Sequence, residues 1–174
     1  HLDPGHAATG MESDNVVSSH DLLMDRSNRN WGQNAVVYDD TGHYEGVAAA
    51  EFLIDKGVAV TFVTAHKSFA PGLEPSLSAV PALERLGKGD FTLITYANLD
   101  NVEADSAQLS NTYGGDPIDV KADTLVFVSH NQCNRELLDD LADWPGAVIP
   151  VGDVRSPRYM QTAIREGHMA ARGI

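Results

Sequence analysis

The sequence predicts an α/β chain built on a parallel sheet, and three stretches carry that expectation. Residues 34–50, NAVVYDDTGHYEGVAAA, read as a buried strand, a tight turn and a helix. Residues 58–64, VAVTFVT, are a β-branched, alternating run that would complete a strand–helix–strand unit. Residues 124–129, TLVFVS, supply a second apolar strand of the kind covered on both faces. With 174 residues, 43% of them hydrophobic, the chain can bury a real core in one domain or two small lobes.

In chain order, 1–33 is polar and rich in Gly, Asp, Asn and Ser, so it reads as a connecting segment with one helix-like patch at Ser19–Met24. The first strand leads through a turn at 40–43 into a helix over 46–56, where Val47, Ala50, Leu53 and Ile54 recur on one face. Gly57 follows as a helix C-cap would. Past the strand at 58–64, two prolines and a glycine mark 65–75 as a loop. A helical period resumes over 76–86 with Ala79, Leu83 and Leu86, and FTLIT at 91–95 is the third strand. Between Tyr96 and Lys121 the chain is polar and strand-like, and the turn at 114–117 predicts a β-meander. The expected whole is a Rossmann-like three-layer sandwich. Beyond 129 come a helix at 135–142, a strand at 147–151, the pair Gly152 and Asp153, and a closing helix over 157–172. Pro157 is expected in the first turn of that helix, where its missing N–H costs nothing.

The turn after the first strand has the shape of a dinucleotide fingerprint from which two glycines have been removed. In G-x-G-x-x-G the first glycine makes the tight turn, the second lets backbone approach a pyrophosphate, and the third lets helix and strand pack closely. With Gly46 as the third glycine, the first two positions hold Thr41 and His43, with Gly42 between them. The His43 side chain is expected where phosphates would pass, and Asp39 and Asp40 would repel a pyrophosphate at short range. At the end of the second strand, where an acidic residue would hold ribose hydroxyls, stand Thr64, Ala65, His66 and Lys67. Lys67 and His66 could meet a 2′-phosphate, or simply line a solvated loop.

Composition closes several other classes. A formal charge of −13 argues against nucleic acid, whose phosphates need clustered cations. Cys133 is the only cysteine, so this chain alone builds neither a disulfide framework nor a cysteine-ligated iron–sulfur cluster. Neither a signal peptide nor a run apolar enough to span a bilayer is visible, so no membrane role is expected and a cytoplasmic setting is the default. His20, His43, His66, His130 and His168 show no metal-ligand spacing, and Cys133 has only His130 as a nearby base. No catalytic residue is therefore assigned. Tyr38, Tyr44 and Trp144 read as packing residues, and Arg155 and Arg158 as surface cations able to meet phosphate or carboxylate.

Taken together, VVYDDTGHYEGVAAAEFLIDKGVAVTFVT, ADTLVFVS and VIPVGDVRSPRYMQTAIREGHMAARGI resemble the C-terminal half of the 2,4-dienoyl-CoA reductase and trimethylamine dehydrogenase family. These are large flavoproteins similar to old yellow enzyme. The resemblance implies a TIM barrel elsewhere that carries FMN and a four-iron four-sulfur cluster, and an FAD-type lobe into which an NAD(P)-type lobe is inserted. On that pattern 1–34 is a crossing segment and part of the FAD-type lobe, 35–123 the NAD(P)-type lobe, and 124–174 the return to the FAD-type lobe. It further implies that Asp153, beside Gly152, meets a flavin ribityl hydroxyl, and that backbone N–H groups of Met160 and Gln161 face the ring at a helix N-terminus.

Two departures shape the functional expectation. The FAD-type lobe of the family begins with its own glycine-rich strand and helix, and no such segment precedes His1 in this sequence, so the expectation is that another chain supplies it, that the sequence is one part of a longer protein, or that no FAD is held. The Thr41 and His43 replacements place the chain nearer the amine dehydrogenases, which pass electrons to an external electron-transfer flavoprotein, than the NAD(P)H-dependent enoyl reductases. Three readings stay open: a supporting domain or subunit with a degenerate nucleotide site, an electron-input module that holds FAD, ADP or NAD(P)H, and a non-enzymatic assembly subunit.

Overall fold

The computed structural model describes residues 8–25, 27 and 29–173, in two compact units that divide between Ser129 and His130. The portion of the expected connecting segment at 1–7 lies outside the described residues.

In the larger unit β1 (Val16–Ser18), β2 (Asn34–Asp39), β3 (Ala59–Val63), β4 (Phe91–Ile94) and β8 (Thr124–Val128) form a parallel sheet in the order β1-β8-β2-β3-β4. The remaining strands, β5 (Ala97–Val102), β6 (Ser106–Asn111) and β7 (Ile118–Lys121), pair antiparallel as the expected meander. The helices are α1 (Ser19–Met24), α2 (Tyr44–Asp55) and α3 (Ala79–Leu86). Strand alternation divides the core in two. Ala35, Val37, Phe62, Val126 and Val128 point to the side of α2 and α3, where Val47, Ala50, Leu53 and Leu86 meet them. Val36, Tyr38, Val63 and Leu125 point the other way, onto Leu99, Ala107 and Leu109 of the meander. Helices, parallel sheet and meander are thus the three layers that the sequence predicts.

Several boundaries differ from expectation. The segment at 8–33 is more than a connection: β1 pairs with β8, and Val17, Leu22 and Trp31 enter the core. Helix α2 starts at Tyr44, two residues before the expected 46. Helix α3 starts at Ala79 rather than 76, because Leu77 is left-handed at φ +56° and a backbone in that conformation cannot continue a right-handed helix.

The smaller unit, described over 130–173, holds α4 (Glu136–Asp140), a 3₁₀ turn at Gly152–Val154 and α5 (Met160–Arg172). The strand expected at 147–151 does not form. A strand exists through its ladder, and among the described residues this segment has no strand to pair with. Pro157 lies outside α5, whose N-cap is the extended Tyr159 at φ −89° and ψ 150°, so the proline precedes the first turn instead of filling it. Among the described residues of this unit only Gly152 is buried.

Candidate functional site

The C-terminal end of β2 delivers Asp39, and the turn that follows delivers Thr41, Gly42 and His43 to the start of α2, where Gly46 is buried. The chain can reverse here because Gly42 takes φ +66°, a conformation open to glycine at little cost. Asp39 is fully buried, and its Oδ1 accepts hydrogen bonds from Thr41 N at 3.0 Å, Thr41 Oγ1 at 2.8 Å and Gly42 N at 3.1 Å. Burial pushes the Asp39 carboxyl above the usual carboxylate range, and the Thr41 and Gly42 donors and the nearby His66 work against that shift. Asp39 Oδ2 and His66 Nε2 are buried and, among the described residues, have no hydrogen-bond partner.

The openings that the glycines create are occupied by the chain itself. A Cβ on Gly46 would lie 2.8 Å from Asp39 Cγ and 3.0 Å from its Oδ2. One on Gly42 would lie 2.8 Å from the Pro71 ring and 3.0 Å from His66 Cδ2. The loop after β3 is pinned here: Gly72 N donates to Gly42 O at 2.8 Å, and a Cβ on Gly72 would meet His43 Cδ2 at 2.6 Å. The His43 ring also packs edge-on against Tyr44, 5.0 Å between centroids, and the Tyr44 hydroxyl reaches Ser78 Oγ at 3.2 Å. Behind the turn, burial, then Asp40, pushes the Tyr38 hydroxyl up to about 12.

The structure therefore brings Thr41, Gly42, His43 and Gly46 into one turn. Lys67 is exposed on the loop that follows β3, where His66 N donates to Thr64 Oγ1 at 3.2 Å and His66 O accepts from Tyr96 N at 3.0 Å. Two contributors escaped the sequence reading. Asp39, expected to repel a pyrophosphate at short range, is also a buried acceptor of the turn, a role signalled by an aspartate two residues before a threonine and three before a glycine. The contact of Pro71 and Gly72 with the turn has no local sequence signal.

In the smaller unit, Gly152 at φ +66° packs against α5, with a built Cβ 3.0 Å from Ala163 Cβ. Gly152 N donates to Glu166 Oε2 at 2.8 Å, and the other Glu166 oxygen meets Arg158 and, at 3.8 Å, Arg155. The Gly152 N–H, followed by the arginines, holds the Glu166 carboxyl below its usual range. Asp153 is exposed, with Oδ1 only 3.4 Å from Arg158 N. Met160 and Gln161 are the exposed first residues of α5, where backbone N–H groups have no partner within the helix. Among the described residues no helix is long and apolar enough to cross a membrane.

No family profile matches the chain. A probable N-methylproline demethylase of Rhizobium meliloti (strain 1021) is 33% identical over 104 residues, which are 58% of this chain and 15% of that protein. Among solved structures, histamine dehydrogenase from Rhizobium sp. 4-9 matches with a TM-score of 0.83 and 24% identity, over 91% of this chain and 26% of that one. The 6-hydroxypseudooxynicotine amine oxidase of Pseudomonas geniculata N1 matches with a TM-score of 0.87 and 22% identity, over 95% and 26% of the two chains. A 2-naphthoyl-CoA reductase matches with a TM-score of 0.78 and 19% identity, over 99% and 26%. The resemblance to the trimethylamine dehydrogenase-like flavoenzymes is thus met in both sequence and fold. The chain spans about a quarter of the length of these structures and less of the demethylase.

Proposed function

We propose that this chain is the dinucleotide-binding-type part of a flavin-dependent oxidoreductase of the amine dehydrogenase, demethylase or enoyl reductase class, and that its β2–α2 turn serves the fold without holding a nucleotide. The observation that carries this reading is the filled turn. Asp39 takes the space at Gly46, Pro71 the space at Gly42, and His43 the space at Gly72, so the bare backbone that a pyrophosphate needs is absent. Redox chemistry would come from FMN and an iron–sulfur cluster on a TIM-barrel part, in the same polypeptide or on a companion, and this chain would dock against that part and steady it. The unburied apolar side chains of 130–173 and the quarter-length match to larger enzymes support the docking role.

Where FAD or ADP is held at all, the exposed Asp153 and the N–H groups of Met160 and Gln161 at the start of α5 are the groups suited to hold it, a carboxylate for a hydroxyl and helix-end donors for an electron-rich edge. Such a flavin would supply hydride and electron transfer, and the chain its placement. Calorimetric titration with NADH, NADPH, FAD and ADP tests the proposal. NADH and NADPH give no binding in the micromolar range if the turn is structural. Micromolar binding would move the chain to the electron-input class, with the external flavoprotein no longer needed as acceptor. A complex whose flavin is neither bleached by amine substrates nor, once reduced, reoxidised by enoyl substrates would leave only an assembly role.

A further inference from the structure

The Thr41 and Gly42 N–H groups lie at the mouth of α2, where backbone donors and the helix dipole make a seat for an anion. Both are already given to one carboxylate oxygen, Asp39 Oδ1, at 3.0 and 3.1 Å. The other oxygen of that fully buried carboxyl has no partner among the described residues and is turned toward Gly46, whose absent side chain leaves it room. Here both the donors of an anion seat and the space behind its third glycine are used by a single internal anion.

We infer that the Asp39 carboxylate is the resident anion of the β2–α2 turn, a built-in substitute for a phosphate group, and that it is the specificity-determining group that excludes pyrophosphate-bearing ligands. The inference rests on the reading of the turn as structural and adds which residue enforces it. Two effects act together. A pyrophosphate would have to displace Asp39 Oδ1 from Thr41 and Gly42, and it would do so beside a negative charge in a water-poor setting. Removing the carboxylate frees both donors and opens the hollow at Gly46. Thr41 and His43, which depart from the glycine pattern, then become secondary.

The test uses the 174-residue chain and two variants, Asp39→Gly and Asp39→Asn, with inorganic pyrophosphate as the probe. Wild-type amide resonances of Thr41 and Gly42 are expected to stay fixed under pyrophosphate and to move together as the Asp39 carboxyl is titrated with acid. In Asp39→Gly the same two resonances should shift on adding pyrophosphate, with affinity raised at least about tenfold over wild type, a gain of about 1.4 kcal/mol. Asp39→Asn keeps an acceptor on both donors and should gain less than about threefold. A folded Asp39→Gly that ignores pyrophosphate overturns the inference while the structural reading stands, since Pro71 and His43 would then be the barrier. If Asp39→Gly does not fold, the wild-type titration decides: amides of Thr41 and Gly42 that ignore carboxyl protonation overturn the inference. Wild-type amides that shift with pyrophosphate overturn both.

Discussion

Residues 8–129 and 130–173 carry similar apolar side chains to opposite ends. In the larger unit the parallel sheet is covered on one side by α2 and α3 and on the other by the meander, and Phe62, Leu53, Leu109 and Leu125 are fully buried. In the smaller unit Leu137, Trp144, Met160 and Ile164 keep 71%, 61%, 78% and 65% of their surface exposed. Helical periodicity is present in both. The difference teaches that a periodic apolar face specifies an element, whereas a second layer is what turns it into a core. On the proposed reading that layer is supplied by the rest of a larger enzyme.

The sharpest test of the contrast is truncation on each side of it. Phe62→Ala removes a ring packed against Phe69 at 5.0 Å and Phe91 at 6.3 Å, and should cost about 3–5 kcal/mol in urea unfolding. Leu137→Ala, at a site 71% exposed, should cost less than about 0.5 kcal/mol in the same measurement. Equal costs would break the comparison.

Three pH effects sharpen it further. Tyr38 has its hydroxyl pushed up to about 12 from 10.0, so the folded state holds its proton longer than the unfolded chain does. Stability is full below pH 10 and falls as pH rises toward 12, by on the order of 2 kcal/mol, and Tyr38→Phe should abolish that fall in alkaline melting curves. Asp39 has the same sign at lower pH. Its raised carboxyl means that stability declines as pH rises above 3.8 through the folded value, so Asp39→Asn should flatten that slope in melting curves recorded across the acid range. The smallest effect belongs to the smaller unit. Glu166 is held below 4.5, so its hold on Gly152 N is lost as pH falls below that value, seen as loss of exchange protection at the Gly152 amide with no change in global unfolding.

Much of the larger unit is legible in the sequence because its signals are local. Val36 to Tyr38, the Val47 to Leu53 period and Gly57 fix β2 and α2, and the glycines at 114 and 115, both at positive φ, mark the β6–β7 turn. The strand expected at 147–151 fails for the opposite reason: the apolar run from Ala147 to Val151 implies a strand only where a neighbour offers its edge. The start of α3 is hidden because nothing local announces that Leu77 turns left-handed. At the candidate site, Thr41, Gly42, His43 and Gly46 are legible as one turn, but its filling is not. Pro71 and Gly72 reach Gly42 from the far side of β3, and the inward course of Asp39 depends on the space at Gly46. A motif reports which groups a turn offers and is silent on whether distant chain already uses them.

The central claim is that the β2–α2 turn is occupied by its own side chains. A crystal structure of the chain grown with saturating NADPH tests it most directly. The account predicts Asp39 Oδ1 still bonded to Thr41 and Gly42, with Pro71 seated on Gly42 and no nucleotide density at the turn. Pyrophosphate density against Thr41 and His43, with Asp39 or the 66–73 loop displaced, would contradict it.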